Sequence, residues 1–131
     1  AVHAPGTEAR ILGIRRKAGL LHRTSPSLLY ATDTAPMPDG TWERVAQAGW
    51  AFDLVVMDCT HGTKQHSTVH HSLDSMLRER ERMREAGVVQ DDSRFIAHHF
   101  THHSTPLPDE LDKLGEQGGY DIAYDGMTAE V

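Results

Sequence analysis

The chain has 131 residues, a formal net charge of -6 and ten histidines: enough for one domain with a real core, and without the basic footprint of a nucleic-acid binder. Its single cysteine, Cys59, excludes an internal disulfide and a cysteine-rich zinc site, and fits a reducing cytoplasm. No apolar run approaches the roughly 20 residues of a membrane helix, and the opening Ala1-Val2-His3-Ala4-Pro5-Gly6 has no signal-peptide pattern, so the chain reads as a soluble cytoplasmic protein.

Ile11 to Ile14 and Leu28 to Ala31 are short apolar runs bounded by turn-prone residues, too brief for helical periodicity. They are expected as strands, with Gly19 marking a hairpin between them. Pro36, Pro38 and Gly40 enforce a loop after Thr32-Asp33-Thr34. Trp42, Val45, Ala46 and Gly49 then fall at i, i+3, i+4 and i+7, one helical face, with Asp39 or Thr41 as the expected N-cap. Asp53 to Asp58 is a continuous β-favouring run closed by a carboxylate, as in a strand buried on both faces.

Ser72 is placed to cap a helix from Leu73 to Ala86, which Gly87 terminates. Glu79 with Arg82 and Glu81 with Arg84 form i,i+3 pairs, which read as a solvated face. A strand over Arg94 to His98 follows. Leu107, Leu111 and Leu114 mark a last helix ending at Gly118-Gly119, and Asp121 to Tyr124 reads as the final strand. This alternation predicts an α/β layered fold, with parallel strands over residues 28–124.

Histidine is the commonest protein ligand for transition metals and titrates near neutral pH, so His98-His99-Phe100-Thr101-His102-His103 at a strand end invites chemistry. Three strands deliver polar residues at their carboxyl ends: Asp33, Asp58, and His98 with His99. Ligands gather at such rims in open α/β sheets. Adjacent strand residues face opposite sides, so His98 and His99 are not expected to bind the same ion if the strand continues that far.

Five segments extend this reading: Leu29-Tyr30-Ala31-Thr32-Asp33-Thr34, Asp58-Cys59-Thr60-His61-Gly62, His70-His71-Ser72-Leu73-Asp74, His98 to His103, and Ala123-Tyr124-Asp125-Gly126-Met127. Their order and spacing resemble metallo-β-lactamase-fold hydrolases, most closely the branch with the phosphonate-pathway cyclic phosphodiesterase and, more distantly, transfer-RNA 3′-processing ribonuclease. The resemblance covers nearly the whole chain but only the C-terminal half of that fold, an αββα sandwich. It implies that Asp33 is a metal-bridging carboxylate, that His99 and His3 are metal ligands, and that His70 or His71 protonates the leaving group. By the same resemblance His102 and Asp58 touch substrate or support the ligands, Asp58 by orienting the imidazole. Two divalent ions, zinc or manganese, are implied for the intact site, with a metal-bound hydroxide attacking a phosphodiester.

The family's His-x-His-x-Asp-His signature is absent from the chain. Residues 1–131 therefore read as one incomplete domain: a fragment, as a first residue other than Met would suit, a subunit completed by a homodimer mate or another partner, or a degenerate relative. The isolated chain is expected to hydrolyse weakly or not at all. A small phosphodiester is the expected substrate; nucleic acid is not favoured. A noncatalytic histidine-rich metal-binding or interaction module is the alternative. A response-regulator receiver, suggested by Leu54-Val55-Val56-Met57-Asp58, lacks the acidic pair and the lysine it needs.

Overall fold

A computed structural model describes residues 12–13, the latter pair as backbone only, together with 26–64 and 68–131. Among the described residues, five strands and three helices follow in the order β1 (Leu12–Gly13), β2 (Leu28–Ala31), α1 (Thr41–Gln47), β3 (Phe52–Asp58), α2 (Leu73–Glu85), β4 (Val89–His98), α3 (Pro108–Gly118) and β5 (Asp121–Ile122). The strands pair in chain order in a single sheet. β1 runs antiparallel to β2, as a hairpin would place it, although the expected turn at Gly19 lies outside the described residues. The other three pairings are parallel, as the helical crossovers between these strands require.

Register assigns each strand residue to a face. Leu29, Val55 and Phe95 form one row and Ala31, Met57 and Ala97 the next. These rows, with Trp42, Val45, Met76 and Met83 of the helices, make one apolar core. The opposite face carries Leu28, Tyr30, Leu54, Val56 and Ile96, none of which joins that core. The helices therefore cover one side of the sheet; on the other side, which no described helix covers, Leu54 and Ile96 are buried while Tyr30 is 40% exposed.

The ends of the helices follow from local chemistry. Ser72 caps α2 by accepting from the Ser75 backbone N–H at 3.2 Å, and Ser75 Oγ returns a bond to the Ser72 N–H. Gly119, at φ 68°, ends α3 in the left-handed conformation. Arg80 donates to the carbonyls of Gly118 and Gly119, satisfying the last turn of α3.

Three expectations need correction. Neither Asp39 nor Thr41 caps α1; Gly40 does so in a left-handed conformation without a side-chain bond, and Thr41 is already helical. β4 begins at Val89, five residues before Arg94, because a register shift opposite Phe52 and Leu54 absorbs the polar Gln90-Asp91-Asp92 stretch without ending the strand. Glu79 is buried at 1% exposure, not solvated. It accepts from Trp42 Nε1 at 2.5 Å and Met37 N at 3.3 Å, and pairs with Arg82 at 3.0 Å. Arg82 also donates to the carbonyls of Met37 and Pro38, so the pair fastens the loop after β2 onto α2.

Candidate metal centre

β2, β3 and β4 are parallel neighbours, so their carboxyl ends reach one rim. Asp33 lies two residues beyond β2, Asp58 is the last residue of β3, and His99 follows β4 immediately. His70 arrives from the loop before α2. That loop is fixed through the backbone of His71, whose N–H donates to Thr34 O at 3.0 Å and whose carbonyl accepts from His61 N at 3.1 Å. The loop after β4 is tied in the same way: Thr101 and Ser104 hydroxyls both donate to Thr60 O, at 2.9 and 3.1 Å. Four chain segments thus hold one another in place around a small cluster.

Its members are Asp33, Asp58, His70 and His99, each with a ligand-type atom within 4.8 Å of the others'. Asp58 is the floor of the site, with no side-chain exposure, while His70, His99 and Asp33 are progressively open to solvent at 25%, 43% and 61%. His70 Nδ1 lies 3.1 Å and His99 Nδ1 3.2 Å from Asp58 Oδ2. On its other edge, His99 Nε2 is 3.6 Å from Asp33 Oδ1. Burial alone would raise the Asp58 carboxyl, but hydrogen bonds from the Thr60 N–H and hydroxyl and from His70 more than offset it and hold the group below the usual carboxylate range. The floor of the site is therefore a charged acceptor.

Asp33 and His99 have a second feature in common. They are the only non-glycine residues with positive φ among the described residues, at 51° and 64°. Such backbone costs an L-residue free energy and collects at sites where geometry serves function. At His99 it also changes the argument from strand alternation. β4 stops at His98, so the chain turns before His99; His98 packs on Tyr30 with ring centroids 5.2 Å apart and stays outside the cluster.

The remaining predicted residues fall elsewhere. His71 is completely buried, its Nδ1 3.0 Å from Ser75 Oγ, and burial lowers its pKa to about 4. His102 is exposed on the turn after β4 and is not part of the cluster. His3 lies outside the described residues. Cys59 is buried, which pushes its thiol far above the ordinary range and makes it a core side chain. A cleft of about 620 Å³ between β4, β5 and α3, lined by Arg94, Asp112, Tyr120 and Asp121 among others, contains none of the four cluster residues.

Sequence reasoning passed over one residue that the cluster uses. Thr60 Oγ1 stands 3.1 Å from Asp58 Oδ2 and 2.8 Å from His99 Nδ1, with His70 Nδ1 at 3.4 Å. The available signal was its position two residues after a strand-ending Asp, where a hydroxyl folds back on the carboxylate.

Two imidazoles and two carboxylates are a donor set suited to zinc or manganese, and ligand atoms this close together fit around a divalent ion. The residues present therefore fit a metal, without selecting which one.

No family model and no curated protein matches the sequence. Solved structures do. A diphosphatase of the PhnP family superposes with a TM-score of 0.55 at 22% identity, over 94% of this chain and 44% of its own. The isothiocyanate hydrolase from Delia radicum gut bacteria gives 0.55 at 15% identity, over 85% of this chain and 41% of its own. The metallo-β-lactamase-fold protein YhfI from Bacillus subtilis gives 0.51 at 21% identity, over 79% and 39%. The chain has a metallo-β-lactamase-like α/β fold and spans less than half the length of each of these proteins. Among the described residues, no helix is long and apolar enough to cross a membrane.

Proposed function

We propose that this chain is the C-terminal half of a metal-dependent phosphodiesterase of the metallo-β-lactamase fold. One observation carries the reading: two carboxylates and two imidazoles from four chain segments meet at the carboxyl rim of a parallel sheet, two of them in strained backbone. Asp33 and His99 would hold the metal, with His3 and residues outside this chain completing the set. Once bound, divalent ions supply Lewis acidity and activate water at neutral pH.

The chain's own groups would do the rest. Asp58 fixes His70 through Nδ1, and an imidazole held on that side passes its proton through Nε2 to a departing alkoxide. The open upper side of the site, where Asp33 and His99 are exposed, suits a small phosphodiester. The apolar sheet face around Tyr30 and Val56 supports the half-domain reading, because a further layer packed there would complete the sandwich.

A second reading rests on the same compactness. Four ligand atoms within 4.8 Å can hold a single ion unaided, with His70 as a ligand and no turnover. Calorimetric titration of the chain with Zn²⁺ and Mn²⁺, alongside hydrolysis of bis(p-nitrophenyl) phosphate, separates the two. The phosphodiesterase reading expects Asp33→Ala and His99→Ala to abolish binding, while His70→Ala binds metal and loses whatever turnover the chain has, alone or mixed with the missing half. Loss of metal binding in His70→Ala would establish the second reading instead; no metal binding by the wild-type chain alone would refute the second reading, and none when mixed with the missing half would refute both.

A further inference from the structure

We infer that Thr60 is a positioning residue that sets the tautomer of His99, holding the proton on Nδ1 so that the Nε2 lone pair faces Asp33. The inference rests on the proposed metal site but is read from this chain's own hydrogen bonds.

A threonine hydroxyl has one proton and two lone pairs. Asp58 Oδ2 accepts the Thr60 hydroxyl proton at 3.1 Å, while Oδ1 of the same group accepts from the Thr60 N–H at 2.9 Å. Oγ1 then offers lone pairs to His99 Nδ1 at 2.8 Å, the shortest contact in the cluster. Two lone pairs at that separation repel, so Nδ1 carries a proton and donates it. Asp58 Oδ2, 3.2 Å from the same nitrogen, reinforces that choice. On the other edge of the ring, Nε2 and Asp33 Oδ1 are 3.6 Å apart, beyond hydrogen-bond distance, so the closer contacts at Nδ1 decide where the proton sits.

The result is a relay from buried carboxylate to hydroxyl to imidazole. Metal-binding histidines commonly give their second nitrogen to a carboxylate or carbonyl; here a hydroxyl at 2.8 Å shares that nitrogen with the carboxylate at 3.2 Å, and the backbone of the same threonine is bound by Thr101 and Ser104 from the loop that carries His99. Thr60 therefore locates both the ring and its proton. A ring protonated on Nε2 would have to move that proton before binding an ion.

The test uses the full chain and two independent readouts. Nitrogen-15 NMR of the metal-free protein, at a pH where His99 is neutral, assigns its tautomer, and calorimetric Zn²⁺ titration gives the affinity. Wild type is expected to carry the proton on Nδ1. Thr60→Val keeps the shape and loses the hydroxyl; it should lower the Nδ1–H population and weaken Zn²⁺ binding by about 10- to 100-fold. Thr60→Ser should restore both. An Nε2–H tautomer in wild type, or a Thr60→Val protein with unchanged tautomer and affinity, would overturn the inference. If Thr60→Val does not fold, Thr60→Ala carries the same test: an unchanged tautomer and affinity there overturn the inference. A wild-type chain with the expected tautomer, altered in Thr60→Val, that binds no Zn²⁺ would refute the metal reading and leave the positioning role standing.

Discussion

His71 gives the fold a specific acid sensitivity. Its ring is fully buried, and burial holds its pKa at about 4, against an ordinary value near 6.5. The unfolded chain therefore binds the proton more readily than the folded one, so the neutral ring's contribution is present above about pH 6.5 and lost as the pH falls towards about 4. The full difference is on the order of 3 kcal/mol, of which about 2 kcal/mol is lost between pH 7 and pH 5. Glu79 works against this loss, since burial raises its carboxyl and stabilises the protonated form as the pH falls. Asp58, held low, contributes its loss only below the ordinary carboxylate range. The measurement is therefore a difference: urea unfolding of wild type and His71→Gln from pH 7 to pH 5. Wild type should lose about 2 kcal/mol more than the variant across that interval. Parallel pH profiles would refute the assignment of the acid sensitivity to His71, whatever the absolute stability of the variant.

Backbone conformation and buried polar contacts give further predictions. Asp33 is at φ 51°, so Asp33→Gly should be more stable than Asp33→Ala by about 1 kcal/mol in urea unfolding, while neither binds metal; equal stabilities would argue against strain there. Gly62 sits at φ +49° with space for a Cβ only 2.2 Å from the Ser104 carbonyl oxygen, so Gly62→Ala should cost about 2–4 kcal/mol and pull the Thr60 and Ser104 loops apart, seen as a lower melting temperature and weaker Zn²⁺ binding. Glu79→Ala would strand Trp42 Nε1, Met37 N and the Arg82 guanidinium. A loss of about 3 kcal/mol is expected, with Glu79→Gln milder, and a change below 1 kcal/mol would show that the loop after β2 does not depend on it.

Features written in local chemistry were legible from the chain. Leu28 to Ala31, the Ser72 cap and the Gly119 stop each depend on a few adjacent residues, and each is where the pattern put it. Parallel order also followed, because a helix between two strands leaves little choice. What escaped depended on contacts across the chain. Glu79 looks solvated when only its helix is considered, yet Trp42 and the Met37 backbone, 37 and 42 residues away, enclose it. Strand alternation gave a reason to separate His98 from His99, but the turn at His99 is a backbone state that alternation does not describe. Thr60 is one of many threonines until β3 and β4 are brought side by side.

The same registers explain how a chain that spans less than half the length of its structural neighbours assembles this cluster. Asp58 and His98 are direct partners across β3 and β4, and the Cys59 N–H continues the pairing to His98 O at 2.8 Å, so the chain one residue beyond each strand is level. Asp33 leaves β2 two residues after Ala31, itself level with Met57, and so reaches the same height. Adjacent strands are about 4.8 Å apart, and side chains leaving three consecutive strands at one level meet without any further layer to direct them. The left-handed turns at Asp33 and His99 then bend both side chains off their strands towards Asp58. The predicted loss of metal binding in His99→Ala therefore tests a local structure: the residues of the cluster are aligned by sheet pairing, and the loops that bind Thr60 and His71 keep them so.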